Sequence, residues 1–357
     1  MTEHILVCVA WPYAKSSTHV GQIVGAYLPA DTFARYHRMK GNAVLMVSGS
    51  DEHGTPILVD SEREGITPRE FVARYHREIC EVWDRLGMSW DLYTETGTEN
   101  HYRITQDFFL TLYDKGYIFK DTMQSPYCPT DRRFLPDRYV EGTCPHCGYT
   151  QARGDQCDNC GRTLDPIDLI EPRCRLCGSK QSALEIRDTD HFFLDLPKLQ
   201  EPLLAWLSEG KDHWRANTLG FALNWLKEGL RPRAITRDLD WGVPIPLEGY
   251  DDKRIYVWFD AVIGYFSASV EWAERRGTPE AWKTWWVPEQ TDPPVKSYYF
   301  IGKDNIPFHA IIWPAMLIGY GNRNLPYDVP ANEFMTMSGA KASSSRGNVI
   351  WTRDVLD

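Results

Sequence analysis

Seven of the chain's nine cysteines fall between Cys128 and Cys177. Within that stretch, Cys144-Pro-His-Cys147 and Cys157-Asp-Asn-Cys160 form a C-x2-C-x9-C-x2-C pattern. Two such knuckles offer four thiolates to one Zn²⁺ in tetrahedral reach. The pattern constrains the fold, because a segment organised around a metal needs little apolar core of its own. A second set brackets the first: Cys128-Pro-Thr-Asp131 and Cys174-Arg-Leu-Cys177. It has three thiolates, with Asp131 where a fourth would stand. That set reads either as a second zinc site with one carboxylate ligand or as a degenerated, empty one. Four protein ligands leave no open position, so neither set reads as catalytic. In a chain of this size, without an export signal, paired C-x-x-C spacing argues for zinc over disulfides and for reducing cytoplasm.

The chain has 357 residues, enough for two or three domains and a full core. Hydrophobic residues at 43% and charged residues at 25% exclude a wholly disordered chain. Thirty-nine basic and forty-nine acidic residues give a formal charge of −10. Bulk charge therefore does not hold nucleic acid, and any such contact falls to a local basic patch. No apolar run approaches ~18 residues, so no transmembrane helix and no membrane partner are expected. The start has neither a basic n-region nor a cleavage site, so no signal peptide is expected.

Residues 5–10 and 43–48 are short apolar runs of the kind that form buried parallel strands. Between them, Val20, Val24, Tyr27, Leu28, Phe33 and Tyr36 recur near helical spacing. Strand, helix, strand makes a βαβ unit, the seed of a doubly wound sheet. It lacks G-x-G-x-x-G, and no P-loop pattern occurs anywhere, so it is neither an ordinary dinucleotide site nor a Walker site. Residues 66–115 read as mainly helical. The buried-strand signature returns at 254–259 and 296–301, followed by a helix from about Asn305 to Tyr320. The expected class is α/β: a doubly wound parallel-sheet, Rossmann-like domain in two halves, 1–115 and 236–357. An insertion at 116–235, with its zinc knuckle at 127–180, splits it.

Four further motifs can carry chemistry. His19 sits where a helix starts after a buried strand, a place that favours phosphate, and Gly21 lets a ligand come close to the backbone. The plainer alternative is a helix-capping histidine. Ser50-Asp51-Glu52-His53-Gly54-Thr55-Pro56 follows the second strand, where ligands of open α/β sheets bind. Asp51 there is either an ammonium-binding carboxylate or part of a turn, with Thr55 as helix cap and Pro56 at the first helical position. Trp11, Tyr13, Trp258, Tyr265, Phe308, His309 and Trp313 are either plain core aromatics or the lining of a pocket. Finally, 341–348 (Lys-Ala-Ser-Ser-Ser-Arg-Gly-Asn) is either a polyphosphate clamp or a flexible surface loop.

In their order along the chain, these motifs resemble a class I aminoacyl-tRNA synthetase of the methionyl family. Pro12-Tyr13-Ala14 through Thr18-His19-Val20-Gly21-Gln22 is similar to the HIGH region. Residues 50–56 are similar to the segment that holds the substrate amino group. Arg132 to Tyr139, with its knuckles, resembles the zinc-bearing connective insertion. Val257 to Ala261, Gly302-Lys303-Asp304-Asn305 and Phe308-His309 resemble the methionine pocket and the ATP-contacting strand. Residues 341–348 stand where KMSKS-RGN would be. The resemblance spans essentially all 357 residues.

The resemblance implies a HUP-type catalytic domain and a methionine–tRNA ligase. It would activate L-methionine with ATP and Mg²⁺ and pass the acyl group to the 3′ end of a methionine tRNA, with no DNA partner. His19, Gly21, Gln22, Lys303, Asp304, Lys341 and Ser344 would serve ATP. Asp51 would hold the substrate ammonium. Trp11, Tyr13, Trp258, Ala261, Tyr265, His309 and Trp313 would line the thioether pocket, and an aromatic cage suits a polarisable thioether. Contacts to tRNA phosphates would fall mostly to Arg132, Arg133 and Arg138. Gln22 replaces the second histidine of HIGH. Ala342 and Ser344 replace the methionine and second lysine of KMSKS. The stem-contact region and anticodon-binding domain are expected to lie outside this chain. Two other readings remain: an adenylate-forming paralogue with a non-tRNA acceptor, and an inactive amino-acid- and ATP-binding module.

Overall fold

The computed structural model describes residues 2–154, 157, 159, 160, 162, 164–178, 184–337, 340, 341 and 347–357, with backbone alone at 337, 340 and 341. Among the described residues, five parallel strands form the central sheet, in the order Ala331–Asn332, Lys296–Gly302, His4–Val9, Ala43–Ser50, Leu92–Glu95. The apolar runs at 5–10, 43–48 and 296–301 predict three of these strands, because a parallel sheet is buried on both faces. Side chains alternate across the sheet. Ile5, Val7, Val9 and Met46 face a layer with Ala30, Ala34, Ile79 and Trp83. Leu6, Cys8, Leu45 and Val47 face Phe108, Ile263 and Trp313. Covering both faces makes the sheet doubly wound, as expected from sequence.

Local signals explain several helix boundaries. Helix Pro68–Leu86 starts with a capping box, in which Thr67 and Glu70 satisfy each other's backbone N–H, and Pro68 takes the first turn. It ends at Gly87, whose φ of 64° is the left-handed geometry that stops helices. Helix Thr55–Glu64 is capped by Gly54 at φ 89°, one residue earlier than the expected Thr55 cap. Gly54 holds that position because its missing Cβ permits the positive φ and would otherwise meet Val257 at 2.8 Å.

Two elements differ from expectation. Only Arg254 and Ile255 form a strand in the predicted 254–259 run; Val257–Arg275 is a helix. Apolar runs do not separate a buried strand from a buried helix, and this helix is apolar nearly all round because it lies inside. Within 66–115 a short strand, Leu92–Glu95, interrupts the helices and closes one edge of the sheet.

Between the third and fourth strands in chain order lies a second sheet. Ile118–Cys128 pairs antiparallel with Glu185–Leu194 along their length. Beyond it the cysteines hang on a small sheet centred on Val140–Thr143, flanked by Ala152–Arg153 and Ile170–Cys174. Its core joins Leu135, Tyr139 and Leu169 with buried cysteines, and it packs on Leu58 and Val59 of helix Thr55–Glu64. Among the described residues, no helix is long and apolar enough to cross a membrane.

Candidate active site

From the first strand the chain winds one way, to Ala43–Ser50 and Leu92–Glu95. The later strands lie on the other side. The order therefore switches between His4–Val9 and Lys296–Gly302, and ligands of open α/β sheets bind at such a point, beyond the carboxyl ends of the strands. Two connected cavities open there, of about 730 and 260 Å³. Both are lined by Ala10, Trp11 and Pro12 after the first strand, and by Asp304 and Asn305 after the fourth.

The larger cavity brings together Trp11, Tyr13, Asp51, Trp258, Ala261, Tyr265 and His309. They come from four segments, held by specific contacts. Trp258 Nε1 donates to the Tyr13 hydroxyl at 2.7 Å. His309 Nδ1 lies 2.9 Å from the Asn305 carbonyl, which can only accept, so Nδ1 carries the hydrogen. Nε2 is then an acceptor, and the Tyr265 hydroxyl donates to it at 2.7 Å. Burial lowers the His309 pKa to about 4, so the ring is neutral. Trp313 is not on the wall. It is fully buried one layer back, its Nε1 donating to the Tyr299 hydroxyl at 3.1 Å.

Asp51 sits at the end of its strand, 3% exposed. Its backbone pairs with the first loop, through Asp51 N–H to the Pro12 carbonyl and Ala14 N–H to the Asp51 carbonyl, each 2.8 Å. Burial and the nearby Asp260 raise its pKa well above the usual carboxylate range. Among the described residues no Lys or Arg forms an ion pair with it. Asp260 lies 2.9 Å from His53 Nδ1, and His53 Nε2 lies 3.1 Å from the Tyr102 hydroxyl. Burial disfavours charge on both partners: it raises the pKa of Asp260 and lowers that of His53 to about 3.

The smaller cavity is lined by His19, Gly21 and Gln22. His19 caps the short helix Val20–Gln22, and the Gln22 Oε1 accepts from the His19 N–H at 3.0 Å. Gln22 thus has a local capping role. A Cβ at Gly21 would lie 3.1 Å from the His19 ring. Two of the helical segments that line the site contain a π-turn, Ile23–Tyr27 and Phe308–Ile312, a form frequent at functional sites. Lys303 lines the larger cavity while paired with Glu333 and lying 4.7 Å over the Phe334 ring. After the closing loop the chain returns to the same place: the Val20 N–H donates to the Ile350 carbonyl at 3.0 Å, and Thr352 N–H to the Thr18 carbonyl at 2.9 Å. Lys341 ends a short antiparallel pair, Thr336–Met337 with Ala340–Lys341. Ser344 and Ala342 lie outside the described residues.

The four sulfurs of Cys144, Cys147, Cys157 and Cys160 lie within 4.8 Å of one another, a group able to hold a metal ion. Cys144 and Cys160 are 4.0 Å apart, and Cys147 and Cys157 are 3.6 Å apart. A tetrahedral zinc with Zn–S of about 2.3 Å sets sulfurs about 3.8 Å apart, so these residues fit the ion. The second set also assembles: Cys128 and Cys177 sulfurs are 3.5 Å apart, and Cys174 Sγ is 3.0 Å from Asp131 Oδ2. A third donor group, Glu52, His76 and Glu95, was not anticipated. Nor were Asn332, Phe334 and Met335 on the cavity walls, or Asn217 and Phe221, which reach the larger cavity from helix Ala216–Glu228. These residues carry no local sequence signal, whereas Asn305, which lines both cavities, falls in the segment Gly302–Asn305 that carries the resemblance.

A family model described as tRNA synthetases class I (M) matches residues 5–357. The chain belongs to this class I family. Within it, the chain is similar to a methionine–tRNA ligase of Roseiflexus castenholzii, 61% identical over all of this chain and 60% of the relative. It is similar also to a methionine–tRNA ligase of Dehalococcoides mccartyi, 60% identical over all of this chain and 63% of the relative. The chain thus spans about three fifths of the length of these relatives. A solved Mycobacterium tuberculosis methionyl-tRNA synthetase in complex with methionyl-adenylate shares the fold at TM-score 0.71 and 23% identity, over 98% of this chain and 60% of that one.

Proposed function

We propose that the cleft joins L-methionine to ATP, giving methionyl-adenylate and pyrophosphate, and then passes the acyl group to the 3′ end of a methionine tRNA. One observation carries the reading. At the switch point, a buried carboxylate with no ion-pair partner among the described residues, Asp51, borders an aromatic pocket. A ligand ammonium would favour the ionised form of Asp51 against the burial that raises its pKa. An apolar, polarisable side chain on the same ligand would fill the space among Trp11, Trp258 and Tyr265. The names of the relatives and the adenylate bound by the M. tuberculosis enzyme point the same way.

The residues then divide the work. Asp51 and the aromatic pocket hold the amino acid so that its carboxylate faces the α-phosphate for in-line attack, which is positioning. His19, with Gly21 and Gln22, would meet the phosphates at the start of the helix, and backbone N–H groups there favour the charge that develops. Asp304 would border the nucleotide. Lys341 and the loop after it would stand by the departing pyrophosphate. Mg²⁺ would accompany the ATP phosphates. Zn²⁺ held by Cys144, Cys147, Cys157 and Cys160, and a second ion held by Cys128, Asp131, Cys174 and Cys177, would hold the insertion folded. Thiolate ligands suit a reducing cytoplasm. In domain terms, 1–115 and 236–357 form the catalytic unit and 116–235 the insertion.

The test is amino-acid-dependent ATP–pyrophosphate exchange with each of the twenty amino acids, with and without tRNA. Exchange with methionine, and methionine-dependent charging of methionine tRNA, is the expected result. Exchange with a different amino acid, or none at all, would overturn the reading.

A further inference from the structure

Glu52, His76 and Glu95 belong to neither the cleft nor the cysteine sets. One ligand atom from each lies within 4.8 Å of the other two. None of the three lines the two cavities at the switch point. Each comes from a different part of the fold. Glu52 follows strand Ala43–Ser50, Glu95 ends strand Leu92–Glu95, and His76 stands in helix Pro68–Leu86. The two strands stay joined beyond their carboxyl ends. The Thr96 N–H donates to the Ser50 carbonyl at 3.0 Å, and the Glu52 N–H donates to Thr96 Oγ1 at 2.9 Å. Backbone pairing therefore brings the two glutamates to one place.

Glu52 is 4% exposed, and its Oε1 is buried without a hydrogen-bond donor. Among the described residues no Lys or Arg forms an ion pair with it. A Cβ at Gly97 would collide with Glu52 Oε2, so the glycine makes room for the carboxylate. Burial and the adjacent Glu95 raise the Glu52 pKa to about 8, with the charge of Arg69 opposing them. Two carboxylates without a donor between them are stabilised by a proton or by a cation.

His76 favours the cation. Its Nε2 lies 3.6 Å from Glu95 Oε2. Nitrogen and oxygen ligands of a tetrahedral zinc, at about 2.0–2.2 Å from the ion, stand about 3.4 Å apart. Nδ1 lies 2.9 Å from Ser50 Oγ, which lies 3.1 Å from the Tyr93 hydroxyl. With Nε2 on an ion, Nδ1 carries the hydrogen and Ser50 Oγ accepts it, the outer bond that orients a metal-binding histidine. One turn further along the helix, Cys80 Sγ lies 3.5 Å from Nε2. An imidazole with a thiol at hand suits zinc-like ions, whereas Mg²⁺ and Ca²⁺ take oxygen ligands. The His76 and Glu95 side chains are 21% and 37% exposed, so an ion can enter from solvent and keep water in its shell.

We propose that Glu52, His76 and Glu95 bind a divalent transition ion of the zinc class, at a site separate from the cysteine sets and from the cleft. The ion would tie the ends of strands Ala43–Ser50 and Leu92–Glu95 to helix Pro68–Leu86.

The test is equilibrium dialysis of the whole chain against buffered free Zn²⁺, raised stepwise, with bound zinc read by elemental analysis. The parent should hold one equivalent more than His76→Gln or Glu95→Gln. Cys147→Ser should keep this equivalent. Ser50→Ala, which removes only the outer bond, should weaken it about tenfold. Over the same zinc range the parent's melting temperature should rise further than that of Glu95→Gln. The melts also show whether each variant folds, and partly exposed Glu95 supplies the decisive variant if His76→Gln does not. Equal zinc in the parent and in folded Glu95→Gln overturns the proposal. Displacement of this equivalent by an equal concentration of Mg²⁺ overturns the assignment of the ion.

Discussion

The indole of Trp11 rests against the bare Cα of Gly264, where a Cβ would stand 2.7 Å from the ring. Gly49, on the second strand, crowds the same indole from another side. Two glycines far apart in sequence therefore fix the position of one wall of the cleft.

Gly264→Ala should push that indole into the amino-acid pocket. Overpacking of this kind costs roughly 1–3 kcal/mol. The KM for methionine should rise about tenfold, with the KM for ATP nearly unchanged. Exchange kinetics with each substrate varied in turn will check this, and a thermal melt will separate the local effect from general unfolding.

Asp51→Asn keeps the size of the side chain and removes its charge. Binding of the amino acid should fall about ten- to a hundredfold, the range of a charge-assisted hydrogen bond, while ATP binding changes little. Equal losses for both ligands in calorimetric titrations would show that Asp51 does not meet the ammonium.

Stability should fall in mild acid. The folded His309 takes up a proton only near pH 4, whereas in the unfolded chain it does so near its ordinary value of 6.5. Its contribution is therefore complete above pH ~6.5 and is lost as the pH drops towards 4. The loss is on the order of 3 kcal/mol from this residue, and His53, lowered to about 3, acts with the same sign. Urea unfolding at successive pH values should show the slope, and His309→Gln should flatten it.

Zinc should be present at one equivalent or more in protein purified without chelator. Cys147→Ser should remove one equivalent and loosen the insertion, while the parallel sheet stays folded. Elemental analysis and near-ultraviolet circular dichroism read the two effects. Full metal retention by that variant would contradict the ligand assignment.

Ser344→Lys would restore a second cation to the closing loop. One preorganised donor at a developing charge is worth about 10²–10³ in rate. Single-turnover adenylation should therefore rise about tenfold or more, with methionine and ATP affinities near those of the parent. An unchanged rate would mean that another cation already serves the pyrophosphate.

The sequence by itself determined the parts that depend on neighbours along the chain. The apolar runs at 5–10 and 43–48 marked segments that had to be buried, and the helical pattern between them fitted two strands of a βαβ unit. Thr67-Pro68-Arg69-Glu70 specified where a helix begins. The spacing of Cys144, Cys147, Cys157 and Cys160 required one cluster. The βαβ pattern placed His19 at the start of the helix after the first strand and Asp51 at the end of the second. The tertiary structure decided the rest, since those features join residues with no local signal. A run from Arg254 to Phe259 is equally apolar as strand or helix, and only its place beneath the sheet makes Val257–Arg275 a helix. Trp313 and Tyr265 read alike in sequence, yet packing sends one behind the wall and the other onto it. His53 and Asp260 meet across 207 residues. Charge and hydrogen bonding act through space, so such groupings exist only once the two halves of the sheet have closed on each other.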